Sequence, residues 1–198
     1  MICQVADKWH GTQNLNSEGC AYHRSNSKIM NTHPRRKNKM NTIKLTDISI
    51  KQLETDEKIP YALLLDADPS RELIEKYLKS SEIYVARLGN EIIGVYVLCP
   101  ITSEKAEIKN IAVEEKFQGK GVGKLLLEDT FKLAKAKGYK ELIIGTGNSS
   151  VGQLYLYQKV GFEMSKIKWN FFIDNYPDPL YEKGIQVKHM IVLSRLLL

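Results

Sequence analysis

In this chain the residue types and spacing that most constrain chemistry lie in Gln118-Gly119-Lys120-Gly121-Val122-Gly123-Lys124. Three glycines alternate through the stretch, after a strand-like run and before an apolar helical pattern. Alternating glycines let backbone N–H groups face one way with no Cβ between them, and a helix N-terminus behind them adds partial positive charge. Such a place suits a diphosphate. A Walker loop does not fit, because no glycine pair has its spacing and Leu125 stands where a magnesium-binding hydroxyl should follow. A dinucleotide fingerprint fails as well, since the third position after Gly121 is Lys124 rather than glycine.

The loop needs elements to hold it, and from residue 41 the pattern is α/β. A first strand is expected over 42–48 and helical segments over 53–66 and 70–79, the second capped by Asp68-Pro69-Ser70. Strands over 83–88 and 91–98 flank a turn at Gly89-Asn90. Residues 105–113 form another strand and 122–137 a helix with Leu127, Phe131 and Ala134 on one face. A short buried strand over 141–145 and a helix over 152–160 follow, then strands over about 162–173 and 185–196.

Three features share one pattern: the Q-x-x-G-x-G spacing of Gln118, Gly121 and Gly123, the strand Glu107-Ile108-Lys109-Asn110-Ile111-Ala112-Val113 before it, and Tyr157-Gln158-Lys159-Val160-Gly161-Phe162 after it. Together they resemble the GNAT acyltransferases, over about residues 41–198. The resemblance implies an α/β (α+β) architecture, the GNAT-like acyl-CoA N-acyltransferase fold, with a central mixed, mostly antiparallel sheet flanked by helices. It implies an N-acetyltransferase that moves the acetyl group of acetyl-CoA to a primary amine by direct attack in a ternary complex. Gln118, Gly119, Lys120, Gly121, Val122, Gly123 and Lys124 then wrap the pyrophosphate, and the Ile111-Ala112-Val113 segment pairs with the pantetheine arm. Asn148, Ser150 and neighbouring hydroxyls are further candidate CoA contacts, although Ser149 or Ser150 can equally cap the next helix.

Glu107 matches a position where several family members place a general base, and binding a cationic acceptor is its other reading. A free carboxylate titrates at about 4.3, so it deprotonates an ammonium only when burial raises it or water relays the proton. Tyr157 matches the family's proton donor to the departing thiolate. A phenol of pKa about 10 can protonate a thiol of about 8.5 only in close geometry. Tyr155, two positions earlier, points to another side of the helix. Aromatic and acidic residues crowd 169–181 and suit a cationic amine or, equally, an aromatic core. His189 reads as a structural histidine, and Cys99 lacks a histidine nearby in sequence to make it a nucleophile.

Composition bounds these readings. The net charge of +6 belongs to one end: residues 1–40 hold seven Lys/Arg against two Asp/Glu, and residues 41–198 hold 22 against 21. Residues 1–40 lack periodicity and read as a disordered basic tail or a non-native extension. Nucleic-acid binding has only the basic run 35–39 to rest on and is not expected. Of Cys3, His10, Cys20, His23 and His33, only Cys20-Ala-Tyr-His23 is a close pair, so no metal site is expected. Neither a secretory signal nor an apolar run of about 18 residues is present, and three cysteines form no disulfide framework. The expected setting is the cytoplasm, with no membrane partner. The acceptor amine (small molecule, protein N-terminus or lysine) and the choice of monomer or homodimer stay open. A catalytically silent acetyl-CoA sensor on the same fold is the alternative reading.

Overall fold

A turn and a proline, Pro60, reset the first two expectations. In this computed structural model, which describes residues 43–197, β1 spans Ile48–Gln52 rather than 42–48, because a tight turn occupies Leu45–Asp47. Helix α1 is Tyr61–Ala67 and does not begin at 53. Pro60 restricts the residue before it, and Leu53 N–H already donates to Ile83 O at 2.8 Å, which holds that stretch extended beside the sheet. Ser70 caps α2 (Arg71–Leu78) as expected, its Oγ accepting from Leu73 N–H at 3.3 Å. The expected tail, the zinc candidates Cys3, His10, Cys20, His23 and His33, and the run 35–39 lie outside the described residues.

Strands β2 (Glu82–Leu88), β3 (Glu91–Pro100) and β4 (Lys105–Val113) form an antiparallel meander. Helix α3 (Val122–Ala136), β5 (Glu141–Gly147), α4 (Val151–Lys159) and β6 (Glu163–Lys168) follow. The single strand expected over 162–173 stops at Lys168, because Asn170 turns left-handed at φ 54° and starts α5 (Phe171–Asn175). The strand expected over 185–196 is also divided. Lys183 and Gly184, both at positive φ, turn β7 (Leu180–Glu182) into β8 (Ile185–Val187), and β9 is Met190–Leu196. The main sheet runs β1-β2-β3-β4-β5-β9-β6, with β4–β5 its parallel pair. It is the mixed, mostly antiparallel sheet flanked by helices that the sequence implied.

One irregularity governs this sheet. Val97 pairs with Asn110 and Leu98 with Ile108, so Lys109 is an extra residue in β4, a β-bulge. The register of β4 with β5 covers Lys105 to Ile108, whereas that with β3 runs on to Val113. The two parallel strands therefore part just where the bulge lies.

The sheet buries both faces. Leu63, Leu64 and Ala67 of α1 and Ile74 of α2 pack on Val85, Val95, Val97 and Ala112. On the other face Tyr96 stacks on Tyr84 at 4.9 Å and its hydroxyl donates to Asp129 Oδ2 of α3 at 2.7 Å. Leu126 and Leu127 of α3 are fully buried, each contributing about 1.5–3 kcal/mol by burial. Gly94 is what lets α3 sit this low. A Cβ there would lie 3.1 Å from Leu126 Cδ1 and 3.2 Å from Ala112 O. Gly94→Val is expected to destabilise the protein by about 1–3 kcal/mol, read as a lower midpoint in urea unfolding.

Candidate active site

Beyond Val113 a tight turn at Glu115–Phe117 plants Phe117 in the core and delivers the chain to the glycine loop. Gln118 Nε2 donates back to Val113 O at 2.9 Å, tying the loop to the end of β4. Gly119 and Gly121 take φ of 71° and 87°, a left-handed conformation costly for any residue with a Cβ. Gly121 is the N-cap of α3, no side chain caps it, and the first turn holds no acidic residue. The amides of Val122, Gly123 and Lys124 thus keep the donor capacity that every helix start leaves over. A small hollow lies against them, lined by Val113, Gln118, Gly119, Gly121, Gly123 and Lys124, with Leu156 of α4 completing it. Lys120 is turned aside, its Nζ donating to Lys116 O at 2.6 Å. Lys124 lines the hollow and also meets Glu128 at 3.3 Å, an exposed pair of small energetic weight.

A second cavity, of about 390 Å³, opens on the α1–α2 face of the sheet. Glu107 and Lys109 of β4 line it, and their ion pair measures 2.5 Å. Cys99, opposite Glu107 in the β3–β4 ladder, is buried there beside Ser80. From α2 come Lys76 and Tyr77, and from the segment after β5 come Lys168, Phe171 and Tyr176. Asn110 Nδ2 donates both to Leu64 O and to Tyr77 Oη at 3.0 Å, fixing that wall to the bulge. Tyr176 Oη donates to Asp68 Oδ1 at 3.0 Å, and the same oxygen accepts from Ser70 N–H at 3.0 Å. Burial, followed by the Asp68 charge and hydrogen bond, raises the Tyr176 phenol far above its ordinary range.

Tyr157 lies on α4 and is fully buried, whereas Tyr155 is 59% exposed, as the helical spacing required. The Tyr157 ring packs 6.1 Å from that of Phe162. Asn148 and Ser150 both bond within the protein. Lys188 and His189 N–H donate to Asn148 Oδ1 at 2.7 and 2.9 Å, and its Nδ2 donates to Gln186 O at 3.2 Å. Ser150 occupies the N-cap of α4, but its Oγ donates to Glu182 Oε2 at 2.7 Å and makes no cap bond. Both side chains clasp the β7–β8 hairpin to β5.

Sequence reasoning also missed most of the second cavity's walls. Lys76 and Lys168 carry no local signature, because nothing but the fold brings α2 and β6 to one place. The aromatic crowd divides: Phe172 and Tyr176 join a core cluster with Val187, Met190 and Val192, while Trp169 stays exposed against His189. His189 is structural as expected, its Nδ1 accepting from Asn170 N–H at 2.9 Å. Among the described residues no cluster of three His, Cys, Asp or Glu could hold a metal, and no helix is long and apolar enough to cross a membrane.

A mostly antiparallel sheet that parts at its parallel pair, beside an uncapped glycine-rich helix start, defines the acyl-CoA N-acyltransferase architecture. The pattern of the acetyltransferase (GNAT) family matches residues 49–162. An uncharacterised N-acetyltransferase of Bacillus subtilis, YvbK, is 46% identical over 140 residues, 71% of this chain and 90% of that protein. A GNAT family acetyltransferase from Elizabethkingia anophelis, solved with acetyl-CoA bound, is 57% identical with a TM-score of 0.75, over 76% of this chain and 98% of that one. An acetyltransferase of Bacillus subtilis in complex with CoA is 44% identical with a TM-score of 0.72, over 76% of this chain and 99% of that one. This chain belongs to the GNAT family and is an acyltransferase.

The three hydrogen bonds of Asn148 generate a prediction. Asn148→Ala is expected to cost about 1–3 kcal/mol by removing three side-chain hydrogen bonds, two of them part-buried, seen as a lower melting temperature. Affinity for acetyl-CoA by calorimetry should be unchanged, and a loss of affinity without loss of stability would instead make Asn148 a ligand contact.

Proposed function

We propose that the chain, over residues 41–198, transfers the acetyl group of acetyl-CoA to a primary amine by direct attack in a ternary complex. The observation that carries this reading is the course of β4. It leaves β5 at Ile108, presents Glu107 to one cavity, and ends at Val113 on the rim of the glycine hollow. The residues of the hollow fit a diphosphate: left-handed glycines without Cβ atoms, open helix-start amides and a lysine. Acetyl-CoA, when bound, supplies a thioester and hence an already activated acyl group.

The rest falls to side chains and backbone of this chain. Amides of 121–124 hold the diphosphate by helix-dipole and hydrogen-bond attraction, with Lys124 adding charge. The Ile111–Val113 edge, past the end of the β4–β5 ladder, offers backbone groups to the pantetheine amides. Glu107 receives the amine: its carboxylate exchanges the Lys109 ammonium for the incoming one and then accepts a proton from it. Tyr157 returns a proton to the departing thiolate from a site closed to water. Direct attack is preferred to an acyl-enzyme at Cys99, because no histidine is among the described residues that line the cavity. A cytoplasmic setting accords with a free, buried thiol.

Two substitutions test the assignment. Lys124→Glu is expected to weaken acetyl-CoA binding by about tenfold, from a charge reversal of about 1–2 kcal/mol at the helix start, with the melting temperature little changed. Tyr157→Phe should lower kcat for thiol release while leaving the KM for acetyl-CoA in place, and unaltered turnover would remove the proton-donor role. Wild-type protein that binds acetyl-CoA yet releases no thiol with any amine would favour the silent sensor.

A further inference from the structure

The cavity beside Glu107 holds more positive charge than its own carboxylates neutralise. Lys76 reaches it from α2, Lys109 from β4 and Lys168 from β6. Glu107 is occupied by Lys109 at 2.5 Å. Asp68 is turned into the wall, where the Ser70 amide and the Tyr176 hydroxyl both donate to its Oδ1. Lys168 Nζ lies 5.5 Å from the Phe171 ring centre, a contact that steadies the ammonium and brings no formal negative charge. Among the described residues, no carboxylate stands within ion-pair distance of Lys76 or Lys168. An amine that enters as ammonium adds one more positive charge. A diamine or polyamine adds several, and like charges brought together in a half-enclosed space repel.

Resting on the acetyl-transfer reading above, we propose that the acceptor is a small amine bearing its own anionic oxygen group, as an amino acid does. Lys76 and Lys168 bind that anion while Glu107 receives the amine. The cavity's volume of about 390 Å³ is at the small-molecule end of ligand sites, which span about 300–1,000 Å³. The arrangement is complementary to a zwitterion: cations on the α2 and β6 walls, a carboxylate on the floor between them.

The test uses the full chain with acetyl-CoA and matched amines, each with and without its anion: phenylalanine with phenethylamine, lysine with cadaverine, and phosphoethanolamine with ethanolamine. A short peptide with a free N-terminus is added, and thiol release is measured. The acid-bearing partner is expected to show kcat/KM higher by about tenfold or more in at least one pair. The carboxylate and phosphate arms show which anion the lysines take. Lys168→Gln and Lys76→Gln should erase the preference through KM, while Lys168→Arg retains it and acetyl-CoA affinity stays at the wild-type value. Equal or better turnover of the plain amines, or of the peptide, overturns this inference and leaves acetyl transfer standing. Absence of thiol release with every amine, with acetyl-CoA bound, overturns the acetyl-transfer reading itself.

Discussion

The extra residue at Lys109 sets the parity of β4, and through it the placement of nearly every group in the site. Side chains alternate faces along a strand, so regular pairing would send Glu107 and Asn110 to opposite sides of the sheet. With one residue inserted between Leu98↔Ile108 and Val97↔Asn110, both share the α1–α2 face. Glu107 then stands in the cavity, Asn110 bonds Leu64 O and Tyr77 Oη, and Ala112 packs in the core of that face. Bulges also sharpen local twist. At this one the ladder to β5 stops, at Ile108↔Ile144, while that to β3 continues. The floor of one cavity and the edge beside the other arise from the same insertion.

The glycine loop was legible because its signal is local. Gly119 and Gly121 are needed for their positive φ, and the apolar run behind them announces a helix whose start must lie at Gly121 or Val122. The strand Lys105–Val113 had the same advantage and stands with the bounds its composition suggested. What the residue types do not reveal is how side chains in the loop are spent. Gln118 and Lys120 both turn their nitrogens onto backbone carbonyls, Val113 O and Lys116 O, and so brace the loop. The hollow is therefore shaped mainly by glycine backbone and a helix start, with Lys124 as its lining cation among the described residues.

Other features stayed hidden for reasons of distance. The sequence suggests Asn148 as a ligand contact in a loop after β5 and gives no cue to the Lys188 and His189 amides that follow the β7–β8 hairpin and bond its oxygen. The hairpin itself had a local cue, Lys183-Gly184. Pro60 was likewise a visible stop that the apolar spacing of 53–66 outweighed. The cationic walls had no cue at all, since Lys76, Lys109 and Lys168 look in sequence like any solvated lysines.

Those walls are joined by a buried hydrogen bond beside the packing of Leu73 on the Phe172 and Tyr176 cluster. Tyr176, just after α5, donates to Asp68 Oδ1 at the junction of α1 and α2. Lys168 precedes α5 and Lys76 lies in α2, so this bond joins the two segments whose lysines have no ion pair among the described residues. Burial and the Asp68 charge hold the Tyr176 proton in place far above neutrality, so the hydroxyl remains a donor throughout the working pH range. One oxygen of the carboxylate, Oδ1, is in turn occupied by that donor and by the Ser70 amide. The bond that links these walls thus also turns Asp68 Oδ1 toward Tyr176 and Ser70 rather than toward either lysine.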